Sequence, residues 1–397
     1  MEKLIEILLS NIYIQSFIIG LILAAFLSKL SRRTKLNEPP LVYYRLPIIG
    51  HTWRFLKDCE KLILESREKY GEIFSLYVFG QIMTIVGKET THEVFRKDQD
   101  FGFREGFKTK VPLHLIVGDS GLDEENFKII RDFFAGKLKH LICRLQKHII
   151  YAIDIHIGEC VEPKVIHYPR KTLADIVAIP VANIIVVIEK RLYDKKKLGD
   201  DWVAPLDALQ RYLDDPKVAP DFNPNHINYD YIVDGICRLV FGSMTTTSNH
   251  ATQVLYDLVE TKQQYWQELY QEAQEINKQC NGNELTFDDI ASMVKLDSFV
   301  KEYLRCDSDI VTLPHKCISK SYYTFANGYQ VPNGRIVSLN YYDTNNDEEL
   351  QGQNPTEFHA FRHLERNSPA IKLECNFLKF GGGKHACPDL IATFATS

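Results

Sequence analysis

The residues best equipped for chemistry lie near the end of the chain, in Phe380-Gly381-Gly382-Gly383-Lys384-His385-Ala386-Cys387-Pro388. A metal-ligating thiolate needs a cysteine held on a backbone that can pass close to its ligand, with donors nearby to soften the sulfur charge. Gly381, Gly382 and Gly383 remove side chains where such a backbone must turn. Phe380 can cover the sulfur side, and His385 can reach a carboxylate. Cys387 then falls at an expected helix start, where backbone N–H groups stabilise a thiolate. This setting suits the axial ligand of a haem iron. The competing reading, a phosphate loop, fails because Gly-Gly-Gly-Lys lacks the P-loop spacing and the Ser or Thr that should follow it.

Three further groups carry polar chemistry at telling spacings. Glu302-Tyr303-Leu304-Arg305 puts two opposite charges on one helix face. The spacing by itself is most often a solvated ion pair. Gly242-Ser243-Met244-Thr245-Thr246-Thr247 sets hydroxyls along a helix, where they either relay protons or bond back to the preceding turn. Phe127-Lys128-Ile129-Ile130-Arg131 offers cations suited to carboxylate groups, as do His315 and Lys316, just beyond Arg305.

The elements that must position these groups are mostly helical. Helical spacing runs through Leu62 to Tyr70, Glu89 to Asp98, Glu124 to Ala152, Leu173 to Lys190 and Val240 to Asn277, and Phe287 to Arg305 should contain two more helices. Ile73 to Val78 and Met83 to Val86 read as a hairpin turning at Phe79-Gly80-Gln81. Ser321 to Phe325 and Ile336 to Leu339 read as further strands, separated by Asn327-Gly328 and Pro332-Asn333-Gly334. The expected fold is mainly α with a small β-sheet subdomain.

With 397 residues, 45% of them hydrophobic, the chain can bury a large core. A net charge of -5 and a pI near 6.2 give no reason to expect nucleic acid. Nine scattered cysteines without a Cys-x-x-Cys pair argue against a disulfide framework and a zinc site. Ile7 to Leu27 is mainly apolar, about 31 Å long as a helix, and Lys29, Arg32, Arg33 and Lys35 follow it. Residues 1–36 are therefore expected to be a membrane anchor with a basic flank, residues 37–50 a Pro-rich hinge, and residues 51–397 the domain that carries the groups above.

Up to the cysteine, the Cys387 segment matches Phe-x-x-Gly-x-(Arg/His)-x-Cys-x-Gly, and the chain resembles the cytochrome P450 family from its anchor almost to its last residue. Glu302 and Arg305 match the Glu-x-x-Arg of that family's K helix, with Arg305 lying 82 residues before Cys387. Phe358-His359-Ala360-Phe361-Arg362 resembles the meander motif, so the resemblance implies a structural triad of Glu302, Arg305 and Arg362. Thr246 falls on the oxygen-activating threonine. Thr245 stands where the pattern has an acid, and Ser243 where it has a second glycine. The resemblance implies heme b with Cys387 as thiolate ligand, Phe380 and Gly383 beside it, and propionate contacts from His385, Arg131, Lys128, His315 or Lys316.

It also implies a monooxygenase that inserts one oxygen atom from dioxygen into an apolar terpenoid, sterol or lipid-like substrate. Electrons would come from NADPH through NADPH-cytochrome P450 reductase, with cytochrome b5 as a further partner, at the endoplasmic reticulum membrane. Lys295 to Glu302 and Gly383 to Pro388 are similar to a fungal microsomal class that includes ent-kaurene oxidases. Two departures qualify the pattern. Only 115 residues separate Arg131 from Thr246, too few for the F and G helices, and Asp389 replaces a glycine before a short tail where the L helix should continue. The alternative is thus a non-catalytic remnant or partial gene product with impaired haem binding.

Overall fold

The computed structural model describes residues 36–110, 151–160, 164–168, 171–172, 184–205, 207–220, 223–281, 283–307, 311–383 and 386–387, with isolated positions 16, 17, 19, 20, 125, 128, 129, 146, 147 and 150. Among them no helix is long and apolar enough to cross a membrane. The expected span Ile7 to Leu27 lies almost wholly outside the described residues.

The chain enters along the sheet and then turns helical. Helices α1 (Thr52–Lys57) and α2 (Cys59–Tyr70) precede the hairpin β1 (Phe74–Val78) and β2 (Gln81–Val86). Asp58 starts α2 by accepting from the Lys61 N–H, which places the helix start three residues before the first residue of the apolar pattern. Phe79 and Gly80 both take positive φ, +50° and +77°. Their two-residue turn matches the twist of the strands it joins.

Then follow α3 (Lys88–Arg96), β3 (Phe101–Gly102) and α4 (Phe103–Lys108). After them come α5 (Ile184–Leu198), α6 (Ala208–Leu213), α7 (Tyr229–Glu260), α8 (Trp266–Gln279), α9 (Phe287–Ala291) and α10 (Val294–Cys306). The carboxy-terminal part holds β4 (Val311–Cys317), β5 (Tyr322–Thr324), β6 (Gln330–Pro332), β7 (Ile336–Asn340), α11 (Tyr341–Asn345) and α12 (Glu348–Gln351).

One five-stranded sheet has the order β1-β2-β7-β4-β3, parallel only between β2 and β7, where Met83 pairs with Ile336 and Val86 with Leu339. A separate pair joins β5 to β6. The strands expected at Ser321 to Phe325 and Ile336 to Leu339 thus belong to different sheets.

Two expectations need correction. The segment Val240 to Asn277 is two helices, because α7 ends at Glu260 and a 3-10 turn over Gln263–Tyr265 redirects the chain into α8. No Gly or Pro marks the break. Its cause is tertiary: Tyr265 packs edge-on or tilted against Phe299, Phe358 and Phe361 at centroid distances of 5.7–6.0 Å. Lys262 Nζ also bonds Asp257 Oδ2 at 2.9 Å while lying over the Phe358 ring.

The strand β4 was not anticipated, since it contains Pro314. The proline sits where the register between β4 and β7 shifts, beside Leu313 at φ +46°. Such a bulge is where a sheet tolerates proline.

The amino-terminal segment pairs with β1 through Leu41 and Ser75 and clasps it again at Gly50 and His51. Gly50 has φ +58°, and a Cβ there would lie 2.3 Å from Tyr77 Cδ1 and 2.4 Å from the Tyr77 carbonyl. His51 next to it donates its N–H to that carbonyl at 2.7 Å, and its Nδ1 accepts from the Tyr77 N–H at 3.1 Å. Burial keeps this imidazole neutral by pushing its pKa down. Gly50→Ala is expected to cost about 2 kcal/mol or more, from left-handed strain plus the clash with a backbone atom. A lowered urea midpoint with unchanged m-value checks it.

Candidate functional site

Helix α10 is the centre of the site. Residues 298–305 are all buried, and an eight-residue stretch buried all round survives only if its polar members find partners. Its apolar residues Phe299, Val300, Tyr303 and Leu304 pack with Val254 and Leu258 of α7, Leu269 of α8, and Ala360 and Phe377. Phe358, Phe361 and Phe380 lie against this cluster. The core that holds α10 therefore also holds the loop leading to Cys387.

Two of the polar members, Glu302 and Arg305, anchor a buried network. Glu302 accepts from Arg305 through both oxygens at 2.8 Å, from Arg362 Nε at 2.9 Å and from the His359 N–H at 3.0 Å. His363 Nε2 lies 3.1 Å from Glu302 Oε2. Burial opposes ionisation of Glu302, but the hydrogen bonds from Arg305 and His363, the Arg305 charge and the His359 N–H outweigh it and hold the carboxyl far below the usual range. Burial holds His363 below its ordinary pKa, so the neutral ring donates its Nε2 proton to the carboxylate.

The two guanidiniums then collect carbonyls from irregular chain. Arg305 Nη1 donates to Asn345 and Pro355 at 2.5 and 2.7 Å. Arg362 donates to Gln351, Gln353, Asn354 and Glu357 at 2.9–3.0 Å. Backbone carbonyls without secondary structure are thereby satisfied, and the segment between α12 and Arg362 is fixed to α10.

The Cys387 loop is built as a tight return. Gly381 donates its N–H to Leu378 and Cys387 donates its N–H to Phe380, both at 2.8 Å. Gly381 and Gly383 adopt φ +73° and +64°. A Cβ on Gly383 would lie 2.4 Å from the Phe95 carbonyl, and one on Gly382 would lie 2.9 Å from the Phe95 ring. The glycines therefore allow close approach to α3. Cys387 ends this return half-buried, and Phe380 beside it meets Phe377 edge-on at 5.8 Å.

The remaining expected residues fall as follows. His315 is buried on β4, with Nδ1 2.8 Å from the Leu313 carbonyl and its ring 5.7 Å from Phe95, one ring away from the glycine loop. Lys316 follows it in the strand, opposite Ile336. Thr246 is exposed on α7, and its hydroxyl donates to the Gly242 carbonyl at 2.5 Å, so the back-bonded arrangement is the one present. Thr245 lies on the same helix. Lys128 is exposed near the Glu125–Lys217 ion pair. Arg131 and His385 lie outside the described residues. His363, Lys301 and Phe95 were not found from the sequence, because no spacing distinguishes them from ordinary helix or loop residues.

A half-buried thiol at the end of a glycine return, its N–H held by Phe380 and that loop packed against α10, suits a haem as its thiolate donor. The comparisons with known proteins point the same way. Over residues 171–388, more than half of the chain, the sequence matches the family "Cytochrome P450". Cytochrome P450 83A1 of Arabidopsis thaliana is 25% identical over 203 residues, covering 50% of this chain and 38% of that protein. (+)-Menthofuran synthase of Mentha piperita is 29% identical over 207 residues, covering 52% and 39%. The chain thus spans about two-fifths of the length of those curated relatives. Taxoid 2-alpha-hydroxylase of Taxus canadensis is 22% identical over 409 residues, covering 90% of this chain and 81% of that protein.

Among solved structures, the retinoic acid bound cyanobacterial CYP120A1 shares the fold with a TM-score of 0.64 at 19% identity, over 91% of each chain. With Glu302, Arg305 and Arg362 joined in one buried network, a matching fold and a family match over residues 171–388, this chain belongs to the cytochrome P450 family.

Proposed function

We propose that this chain is a haem-thiolate monooxygenase that holds heme b through Cys387 and oxygenates an apolar substrate, with electrons from NADPH delivered by NADPH-cytochrome P450 reductase and cytochrome b5 as a further partner. The observation that carries it is the Cys387 loop itself, with its N–H bond to Phe380 and its two left-handed glycines. When bound, the haem supplies the iron at which dioxygen is reduced and split, and thiolate donation favours O–O cleavage.

The residues of this chain then have distinct tasks. Cys387 supplies the donor sulfur, and Phe380 limits its contact with water. Arg131, Lys128 and His385, with either His315 or Lys316 on β4, are the cations for the propionates. Thr246 must release its bond to the Gly242 carbonyl before its hydroxyl can hand on a proton, and Thr245 precedes it on α7. Glu302, Arg305 and Arg362 hold the frame and touch no substrate.

The apolar substrate class rests on relatives named for menthofuran and taxoid chemistry. The division into an anchor (1–36), a hinge (37–50) and a domain (51–397), and the endoplasmic reticulum location with membrane lipid around the anchor, rest on the apolar run and basic flank. A second reading, a remnant that does not turn over, is favoured by Thr246, whose exposed hydroxyl is spent on its own helix.

The test is direct. The purified chain, supplied with haem, reduced and exposed to carbon monoxide, is expected to show the thiolate-type Soret band, and Cys387→Ala to lose it. Absence of the band in the wild type, or its persistence in the variant, overturns the ligand assignment. Formation of oxidised product from apolar candidates with NADPH and reductase then separates the enzyme from the remnant.

A further inference from the structure

Beside the Glu302 network, and separate from it, lies a second buried polar cluster. Lys301 is 0% exposed. Its ammonium donates to the Ser368 hydroxyl at 2.6 Å, the Ser368 carbonyl at 3.0 Å, the Pro369 carbonyl at 3.4 Å and Glu374 Oε2 at 3.1 Å. The Ser368 hydroxyl itself donates to the same Glu374 oxygen. The other Glu374 oxygen pairs with Lys372 at 2.7 Å. A buried ammonium is tolerated only when its donors are matched, and here they are.

The acceptors all belong to one stretch, residues 368–374, which leads into the Cys387 loop. The far side of Lys301 also faces that loop: its ammonium lies 5.0 Å from the centre of the Phe377 ring. Phe377 meets Phe380 edge-on at 5.8 Å, and the Phe380 carbonyl accepts the Cys387 N–H at 2.8 Å. From Lys301 to the candidate ligand there is thus an unbroken run of cation–π, ring and backbone contacts.

We propose that Lys301 is a positioning residue for the thiolate: through Ser368, Glu374 and Phe377 it sets the path of residues 368–380 and so the placement of the Cys387 sulfur. The proposal rests on the haem-thiolate reading above. Two properties of the cluster support it. Burial lowers the Lys301 pKa, so its charge persists only because its acceptors hold it. Burial likewise opposes ionisation of Glu374, yet Lys372, Ser368 and Lys301 hold that carboxyl at about 2, so Glu374 is an ionised partner for the ammonium at neutral pH. The Glu302 network fixes the segment before Arg362, and Lys301, one residue earlier on α10, fixes the segment after it.

The test is the Lys301→Met variant, which keeps the stem length and removes the charge. Glu374 retains Lys372 and Ser368, so the variant leaves no carboxylate without a partner. At equal haem content its reduced, carbon-monoxide-bound form is expected to move much of its Soret intensity from the thiolate-type band to the shorter-wavelength band of a protonated or displaced ligand. Lys301→Met/Glu374→Gln, which removes both charges, is expected to recover part of it. Ile63→Ala, in the apolar cluster around β1, serves as a control that lowers the melting temperature without altering the band type of the haem it keeps.

If Lys301→Met and the control behave alike, the proposal fails and Lys301 is only structural. If Lys301→Met does not fold, Ser368→Ala breaks the same relay more gently, and an unshifted band in that variant also overturns the proposal. A wild type without any thiolate-type band defeats the haem reading instead, and the proposal with it.

Discussion

Glu302→Ala is expected to be the most damaging single substitution in the described residues. The carboxylate neutralises Arg305 and Arg362 and accepts five hydrogen bonds counting His363 and the His359 N–H. Its removal leaves two guanidiniums facing a cavity with side-chain exposures of 1% and 6%. Breaking one buried ion pair costs about 3–5 kcal/mol, a large share of the roughly 5–15 kcal/mol that keeps a typical protein folded. Two cations lose their partner here, so loss of the native state at 37 °C is the expected outcome, read by circular dichroism and recovery from the soluble fraction. Glu349→Ala gives the contrast, because Glu349 is 88% exposed and 3.5 Å from Lys88. It should change stability by no more than about 0.5 kcal/mol.

The pH dependence follows from the same carboxyl. Its folded pKa is depressed, so its contribution is complete above the unfolded carboxylate value of about 4.3 and is lost as pH falls through the lower folded value. His363, also depressed by burial, adds a contribution of the same sign that is complete above about 6.5 and lost on acidification below its own folded value. The wild type should therefore stay folded well into the acid range and then unfold steeply. A conservative Glu302→Asp variant that folds should unfold at a higher pH, as monitored by far-UV circular dichroism during acid titration.

Gly383→Ala carries the second large effect. The residue has φ +64°, and the added Cβ would lie 2.4 Å from the carbonyl oxygen of Phe95, a backbone atom in α3. A left-handed conformation costs a residue with Cβ about 1–2 kcal/mol. A contact that short cannot be relieved by rotating a side chain, so either the loop or the end of α3 must move. The return from Phe380 to Cys387 hangs on that loop. Haem content and the thiolate-type band are expected to fall together, by far more than the melting temperature falls. Gly328→Ala, also at positive φ but with open space around its Cβ, should cost only the backbone strain and leave the band intact.

Several parts of this molecule are legible without coordinates because their causes are local. The glycine return before Cys387 is written in residues that only a tight turn and a close approach require. The Phe79-Gly80 hairpin follows from two apolar, β-prone runs on either side of a turn. The i, i+3 pair of Glu302 and Arg305 follows from helix geometry. Other parts had no local cause. The end of α7 comes from Tyr265 seeking an aromatic cluster 34 or more residues away along the chain, and β4 tolerates Pro314 only because β7 lets its register shift. His363 and Lys301 look like surface charges beside familiar motif residues until α10 is seen to be buried on every side.

Short-range patterning, then, decided the glycine turns, most of the helices and strands, and which side chains carry reactive groups, because backbone sterics and side-chain periodicity act within a few positions. Only the packed structure decided which charges are buried and with whom they pair. Desolvation makes that pairing compulsory, and it alone converts Lys301, Glu302 and Arg362 from polar residues on a helix and a loop into the braces of the chain between Gln351 and Glu374.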